Sequence, residues 1–183
     1  MLFKKKYFFF VFVLTIFTSY TLVDKWHKTE SKTLGYSIEF PQKPESTIQE
    51  IKSGIGVLKL NMFIYEVTEK SPSDDNQVYL VNCTEFPDSL VSSDNTALLE
   101  GFYRGTIDGA GKEIGGTVTS EKKIELNGYA GREVTIAQNE EKSIITMRLY
   151  LVKNRLFMLE TITQKNKVPN KSITRFFNSF QLI

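Results

Sequence analysis

The sequence predicts an α+β domain in which an antiparallel sheet carries two main helices. Three observations lead there. From Gly116 to Thr163, stretches of alternating apolar and polar residues follow one another with almost nothing between them. Asn127-Gly128 separates two of those stretches, and Asn-Gly enters positive φ easily enough to close a two-residue hairpin. Outside that run, Leu98, Leu99, Phe102, Tyr103 and Ile107, and again Ile173, Phe176, Phe177 and Phe180, recur at helical spacing.

The chain has 183 residues, enough for one domain behind a leader. Its 41% hydrophobic and 24% charged content is that of a globular protein with a full core. Cys83 is the only cysteine, so neither an intramolecular disulfide nor a cysteine zinc site can form, and it reads as a small buried hydrophobe in a strand. The net charge of +2 conceals a polarity: from Lys142 to Ile183 the chain places Lys142, Arg148, Lys153, Arg155, Lys165, Lys167, Lys171 and Arg175 against Glu160 alone. Such a bias marks either an anionic partner or basic strands lying beside acidic ones.

Residues 1–23 read as a signal peptide or an N-terminal membrane anchor. Lys4-Lys5-Lys6 precedes the uncharged run Tyr7 to Val23, a positive end followed by an apolar stretch near the minimum spanning length. The positive end stays in the cytoplasm, which places the rest of the chain beyond it, in the periplasm or cell envelope. Ser19-Tyr20-Thr21 is a poor cleavage site, so a cleaved signal and an uncleaved anchor both stand. Residues 24–34 form a polar linker containing His27, the chain's single histidine, which reads as a solvated side chain.

The domain proper is expected over residues 35–183. Tyr36 to Phe40 alternates as a short strand and stops at Pro41. Ser46 to Lys52 is the next strand, with its turn at Ser53 to Gly56. Val57 to Val67 is apolar on both faces, which predicts a central strand under a helix layer. Glu69 to Asn76 is an exposed loop, within which Ser73-Asp74-Asp75-Asn76 reads as a solvated turn. Gln77 to Thr84 is another strand. Ser92, Ser93 and Asp94 offer the N-cap oxygen of the first helix, and Gly109 and Gly111 end it. The strand Ile144 to Val152 is apolar on both sides, and Lys153-Asn154 turns it back into the next, with Asn as the residue suited to a left-handed conformation. The second helix follows Pro169 and should pack on the central strands.

No arrangement of residues points to catalysis. The glycines from Gly105 to Gly111 precede Lys112-Glu113, where a phosphate loop requires Lys followed by Ser or Thr, and they follow a helix rather than open one. With the only histidine in the linker, no Ser-His-Asp or Cys-His arrangement can form in the domain. Nucleic acid is excluded as a partner by the export segment and the acidic middle of the chain.

Three phrases carry a resemblance: Gly35-Tyr36-Ser37-Ile38-Glu39-Phe40-Pro41, Leu126-Asn127-Gly128-Tyr129-Ala130-Gly131-Arg132-Glu133, and Arg148-Leu149-Tyr150-Leu151-Val152-Lys153-Asn154-Arg155-Leu156-Phe157. With the order of elements, they resemble the PsbP-like family from Leu34 to Ile183, and most nearly its uncharacterised exported bacterial members. The resemblance implies an α/β/α sandwich with a central antiparallel sheet, no enzymatic activity and no cofactor. Members of that fold include an extrinsic subunit of photosystem II and a Ran-binding protein, and no functional motif of either is present here. The expected function is therefore a macromolecule-binding or scaffold domain of the envelope, whose partner is a protein or another envelope component. Arg148, Lys153 and Arg155 are the candidate binding residues, because they are the basic side chains of the best-patterned strand pair. A small-ligand carrier, with a pocket between the sheet and the Leu98–Ile107 helix, is the alternative.

Overall fold

Period-two patterning sorts most strands of the chain onto one large sheet, and each face of that sheet needs a cover. The computed structural model describes residues 26–71, 74–138, 140 and 142–183. Its strands are β1 (His27–Ser31), β2 (Tyr36–Phe40), β3 (Glu45–Ser53), β4 (Gly56–Glu66), β5 (Asn76–Glu85), β6 (Thr117–Leu126), β7 (Tyr129–Gln138), β8 (Ser143–Val152), β9 (Arg155–Gln164) and β10 (Gln181–Leu182). The helices are α1 (Thr96–Glu113) and α2 (Lys171–Asn178). Seven strands form the main sheet in the order β3-β4-β5-β9-β8-β7-β6, and β1-β2-β10 form a small second sheet. Neighbours in the main sheet run antiparallel throughout.

On one face, Tyr36, Ile38 and Phe40 of β2 and Ile173, Phe176 and Phe177 of α2 pack against Tyr79, Val81 and Cys83 of β5 and Phe157 of β9. Aromatic edges fill this layer: Phe176 meets Phe40 and Tyr79 at ring distances of 5.2 Å. Burying each such ring contributes about 1.5–3 kcal/mol. On the other face, Tyr103 and Ile107 of α1 cover Val134, Ile136, Ile145, Met147 and Leu149. The result is the expected α+β sandwich, with one helix on each side of a central antiparallel sheet. Cys83 is fully buried and free, and burial pushes its thiol up to about 12.

Several local expectations are corrected. The leader at residues 1–23 lies outside the described residues. The polar linker at 24–34 contains β1, which pairs along its whole length with β2 from His27↔Phe40 to Ser31↔Tyr36. A backbone ladder needs no apolar side chains, so an edge strand of polar residues escapes a reading based on hydrophobic alternation. His27 is exposed there, and Trp26 packs edge-on against Tyr79. The strand expected to be central, β4, lies next to the edge, and only Leu58 along it is buried. Its apolar pattern arises because Phe63 and Tyr65 pack on the core under α2 and β2, while Leu60, Met62 and Ile64 face the side that α1 leaves open.

The first helix also differs at both ends. Its N-cap is Asn95, without a side-chain bond. Ser92 accepts from the Asp94 amide instead, and Ser93 accepts from the Lys153 amide. The helix runs past Gly109 and Gly111 to Glu113 and stops where Gly115 takes φ +62. Gly111 is buried on the sheet side, where an added Cβ would lie 3.7 Å from both the Gly116 carbonyl and Val118. It therefore serves close packing rather than helix termination.

Asp74-Asp75-Asn76 is no solvated turn; Ser73 lies outside the described residues. Asn76 is 1% exposed. Its amide nitrogen donates to the Tyr79 hydroxyl at 2.6 Å. Its carbonyl oxygen accepts from Thr163 at 2.6 Å and Asn170 at 2.9 Å. Tyr79 donates onward to Asp74 at 2.7 Å. Asn170 in turn caps α2 by accepting from the Ile173 amide at 2.9 Å.

Candidate functional site

The β8–β9 hairpin builds the best-formed cationic recess. Tight pairing through Tyr150↔Phe157 and Val152↔Arg155 brings the strands to a two-residue end at Lys153-Asn154. Lys153, rather than the expected Asn154, adopts the left-handed conformation, with φ 54. The reason lies in what holds the tip. The Lys153 amide donates to Ser93 Oγ at 2.9 Å, and the Ser93 amide donates back to the Lys153 carbonyl at 2.8 Å. The Asn154 side chain donates to the Phe86 carbonyl at 2.7 Å, while the Phe86 amide donates to the Asn154 carbonyl at 2.9 Å. Four hydrogen bonds thus fix the tip to the segment before α1 and leave the Lys153 side chain projecting.

Beside this tip lies a cavity of about 360 Å³, whose lining includes Gly35, Tyr129, Lys153, Arg155, Phe157 and Leu182. Gly35 turns the chain from β1 to β2 with φ +78. Its carbonyl accepts from the Ile183 amide at 3.0 Å, which closes the floor. Arg155 is held loosely: its Nη1 lies 3.3 Å from the Leu34 carbonyl, and its Nε lies 3.6 Å from Glu85. Lys153 is exposed and has no ion-pair partner among the described residues. The recess thus offers one free ammonium and one under-coordinated guanidinium above an apolar wall, a donor set suited to carboxylate or phosphate oxygens.

Arg148 stands apart from these two. It donates to Glu133 at 2.8 Å and to Asn178 at 3.0 Å, and its guanidinium lies 5.1 Å from the Phe177 ring centroid. It ties α2 to the sheet. The same holds for much of the basic last third: Lys167 pairs with Asp75 and Arg175 with Glu39. Basic residues lying beside acidic ones therefore account for most of the charge polarity. Of the three expected binding residues, the structure brings Lys153 and Arg155 to one cavity and places Arg148 in a structural clamp.

A second cavity, of about 280 Å³, lies at the first turns of α1 between Leu90, Val91, Leu98, Leu99, Phe102 and Leu151. Farther along the helix the interface is closed. There the Tyr103 hydroxyl donates to the Ala130 carbonyl at 2.6 Å and accepts from the Leu151 amide at 2.8 Å. Arg132, 3% exposed, lies 4.9 Å from the Tyr103 ring centroid and pairs with Glu100 at 2.6 Å and Glu121 at 3.2 Å. Hydrogen bonds from Lys123 and Arg132 hold the Glu100 carboxyl down to about 2.

Sequence reading missed Glu160. Desolvation alone pushes its carboxyl up to about 7, and no hydrogen bond or ion pair reaches it among the described residues. The signal was present: Leu156, Met158 and Ile162 share a parity that Glu160 interrupts.

No family model and no curated protein matches the chain. Among solved structures, the cyanobacterial PsbP of Synechocystis aligns over 88% of this chain and 94% of its own, with a TM-score of 0.51 and 12% identity. A protein of unknown function from Pseudomonas aeruginosa aligns over 67% of this chain and 86% of its own, with a TM-score of 0.44 and 11% identity. The seven-stranded antiparallel sheet with a helix on each face is, by the first of these likenesses, a PsbP-like fold.

Proposed function

We propose that this chain is a non-catalytic binding domain of the cell envelope, and that it docks an anionic macromolecular partner at the β8–β9 hairpin end. The observation that carries this reading is the recess in which Lys153 lacks an ion-pair partner and Arg155 is only loosely engaged. Export rests on Lys4-Lys5-Lys6 and the uncharged run behind them. No helix among the described residues is long and apolar enough to cross a membrane. The fold, with its single histidine in an edge strand, supports binding rather than catalysis.

Native mass spectrometry of the chain gently extracted from its own cells tests the reading. An added mass of protein size is expected on the native chain. Reversing both charges, with Lys153→Glu and Arg155→Glu, should remove it and flatten its salt dependence, because charged contacts govern steering and screen with ionic strength. A complex that survives the double reversal unchanged removes this end of the molecule as the docking site. The cavity at α1 supports a second reading, a small-ligand carrier: a retained mass of a few hundred daltons in place of a protein would favour it. The same spectra report whether the leader is still attached.

A further inference from the structure

The sheet face that carries α1 is only half covered. Tyr103 and Ile107 lie over the β7–β8 side, but Leu60, Met62 and Ile64 of β4 and Leu80 of β5 belong to neither hydrophobic core. These four are half-buried rather than sealed. Within this open half two polar side chains stand without the partners their chemistry requires. Asn82 is 3% exposed, and its Oδ1 accepts no hydrogen bond, while its Nδ2 donates to Thr84 at 3.1 Å. Glu160 has neither a hydrogen bond nor an ion pair among the described residues.

Register places the two side by side. Asn82 faces Met158 and Leu80 faces Glu160 across β5 and β9. Asn82 and Glu160 are therefore diagonal neighbours on one face, roughly 7–8 Å apart at the backbone and within reach of a single bridging group. Around them stand Met62 beside Asn82, Met147 beside Glu160, and Met158 between strands. Thioether side chains adapt to varied apolar shapes. A buried acceptor and an unpaired carboxyl in an apolar field together call for a compact donor that carries positive charge.

The geometry points to a binding site for a small primary amine with an apolar tail: its ammonium bridges Glu160 and Asn82, and its tail lies along Met62, Ile64 and Leu80. An ammonium supplies three donors, enough for a carboxylate and the Asn82 carbonyl at once. A neutral alcohol of the same shape can fill the apolar strip but leaves the carboxylate without a counter-charge. An anion meets only acceptors.

The test uses the full chain labelled at its methionine methyl groups, of which there are four, titrated with 4-phenylbutylamine and separately with 4-phenylbutan-1-ol. Saturable shifts of the Met62 and Met158 signals are expected, with the amine binding about tenfold or more tightly than the alcohol, as for a charge-assisted contact. Glu160→Gln should bring the amine down to the alcohol's affinity. An unmoved Met147 signal, under α1, shows that the variant keeps its fold. Lys153→Ala, at the far cationic recess, should change nothing. Equal binding of amine and alcohol to the native chain, an unchanged preference in Glu160→Gln, or shifts confined to other methyl groups would overturn the assignment.

Discussion

Replacing Glu160 by glutamine should stabilise the protein at alkaline pH and leave it unchanged at acid pH. The reason is a difference in proton affinity between the folded and unfolded chain. Desolvation on the sheet face raises the carboxyl from 4.5 to about 7, and no favourable partner opposes it. Between these two values the folded state binds more protons than the unfolded state, so stability falls as pH rises through that window. Below pH 4.5 both states are protonated and the group is neutral to stability. Above pH 7 both are ionised and the full penalty applies. At 1.36 kcal/mol per pH unit, the penalty reaches about 3 kcal/mol. Glutamine has nearly the same shape as the protonated acid and no charge to desolvate. Urea unfolding of both chains at pH 4.5, 6 and 8, followed by far-ultraviolet circular dichroism, measures the effect. The advantage of glutamine should grow from near zero to about 3 kcal/mol across the series. A difference that stays constant with pH would refute the reasoning, since it would mean that Glu160 titrates alike in both states.

Arg132→Ala should cost roughly 3–5 kcal/mol in urea unfolding, because it breaks a buried ion pair and leaves Glu121 without its partner; a loss under 1 kcal/mol would mean that the clamp between α1 and the sheet carries no load. Gly131→Ala should destabilise by about 1–3 kcal/mol through overpacking, since its Cβ would meet the Leu149 carbonyl and the Tyr150 ring at 2.6 Å. An unchanged melting midpoint would show that β7 and β8 can part there without cost.

What could be read in advance follows from which interactions are local. Alternation and the Asn127-Gly128 turn located β6 to β9, since both depend on neighbours in sequence, and Asn127 and Gly128 do take φ of 50 and 87. The stripe of Ile173, Phe176 and Phe177 is buried as its spacing requires. The strand β1 was invisible because its pairing uses only backbone groups. The N-cap was misplaced because Ser93 is recruited by Lys153, which lies 60 residues away. Charge revealed the basic strands but not which cations are neutralised. Arg148 meets Glu133 across a strand pair, a partnership of register rather than of sequence distance. Lys153 and Arg155 share a cavity with Gly35 and Leu182 because β10 returns the chain to β2, a closure written nowhere in the hairpin itself.

The Asn76 hub has a consequence for how the molecule opens. One side chain joins β5 to β9 through Thr163, and to the residue that begins α2 through Asn170. Unwinding the first turn of α2 therefore breaks bonds that also hold two neighbouring strands of the sheet. A short surface helix would ordinarily exchange its amide protons by fraying alone. Here the Ile173 amide should be released only together with the amides at the Asn76 end of β5, so that helix and strand behave as one cooperative unit on the timescale of hydrogen exchange.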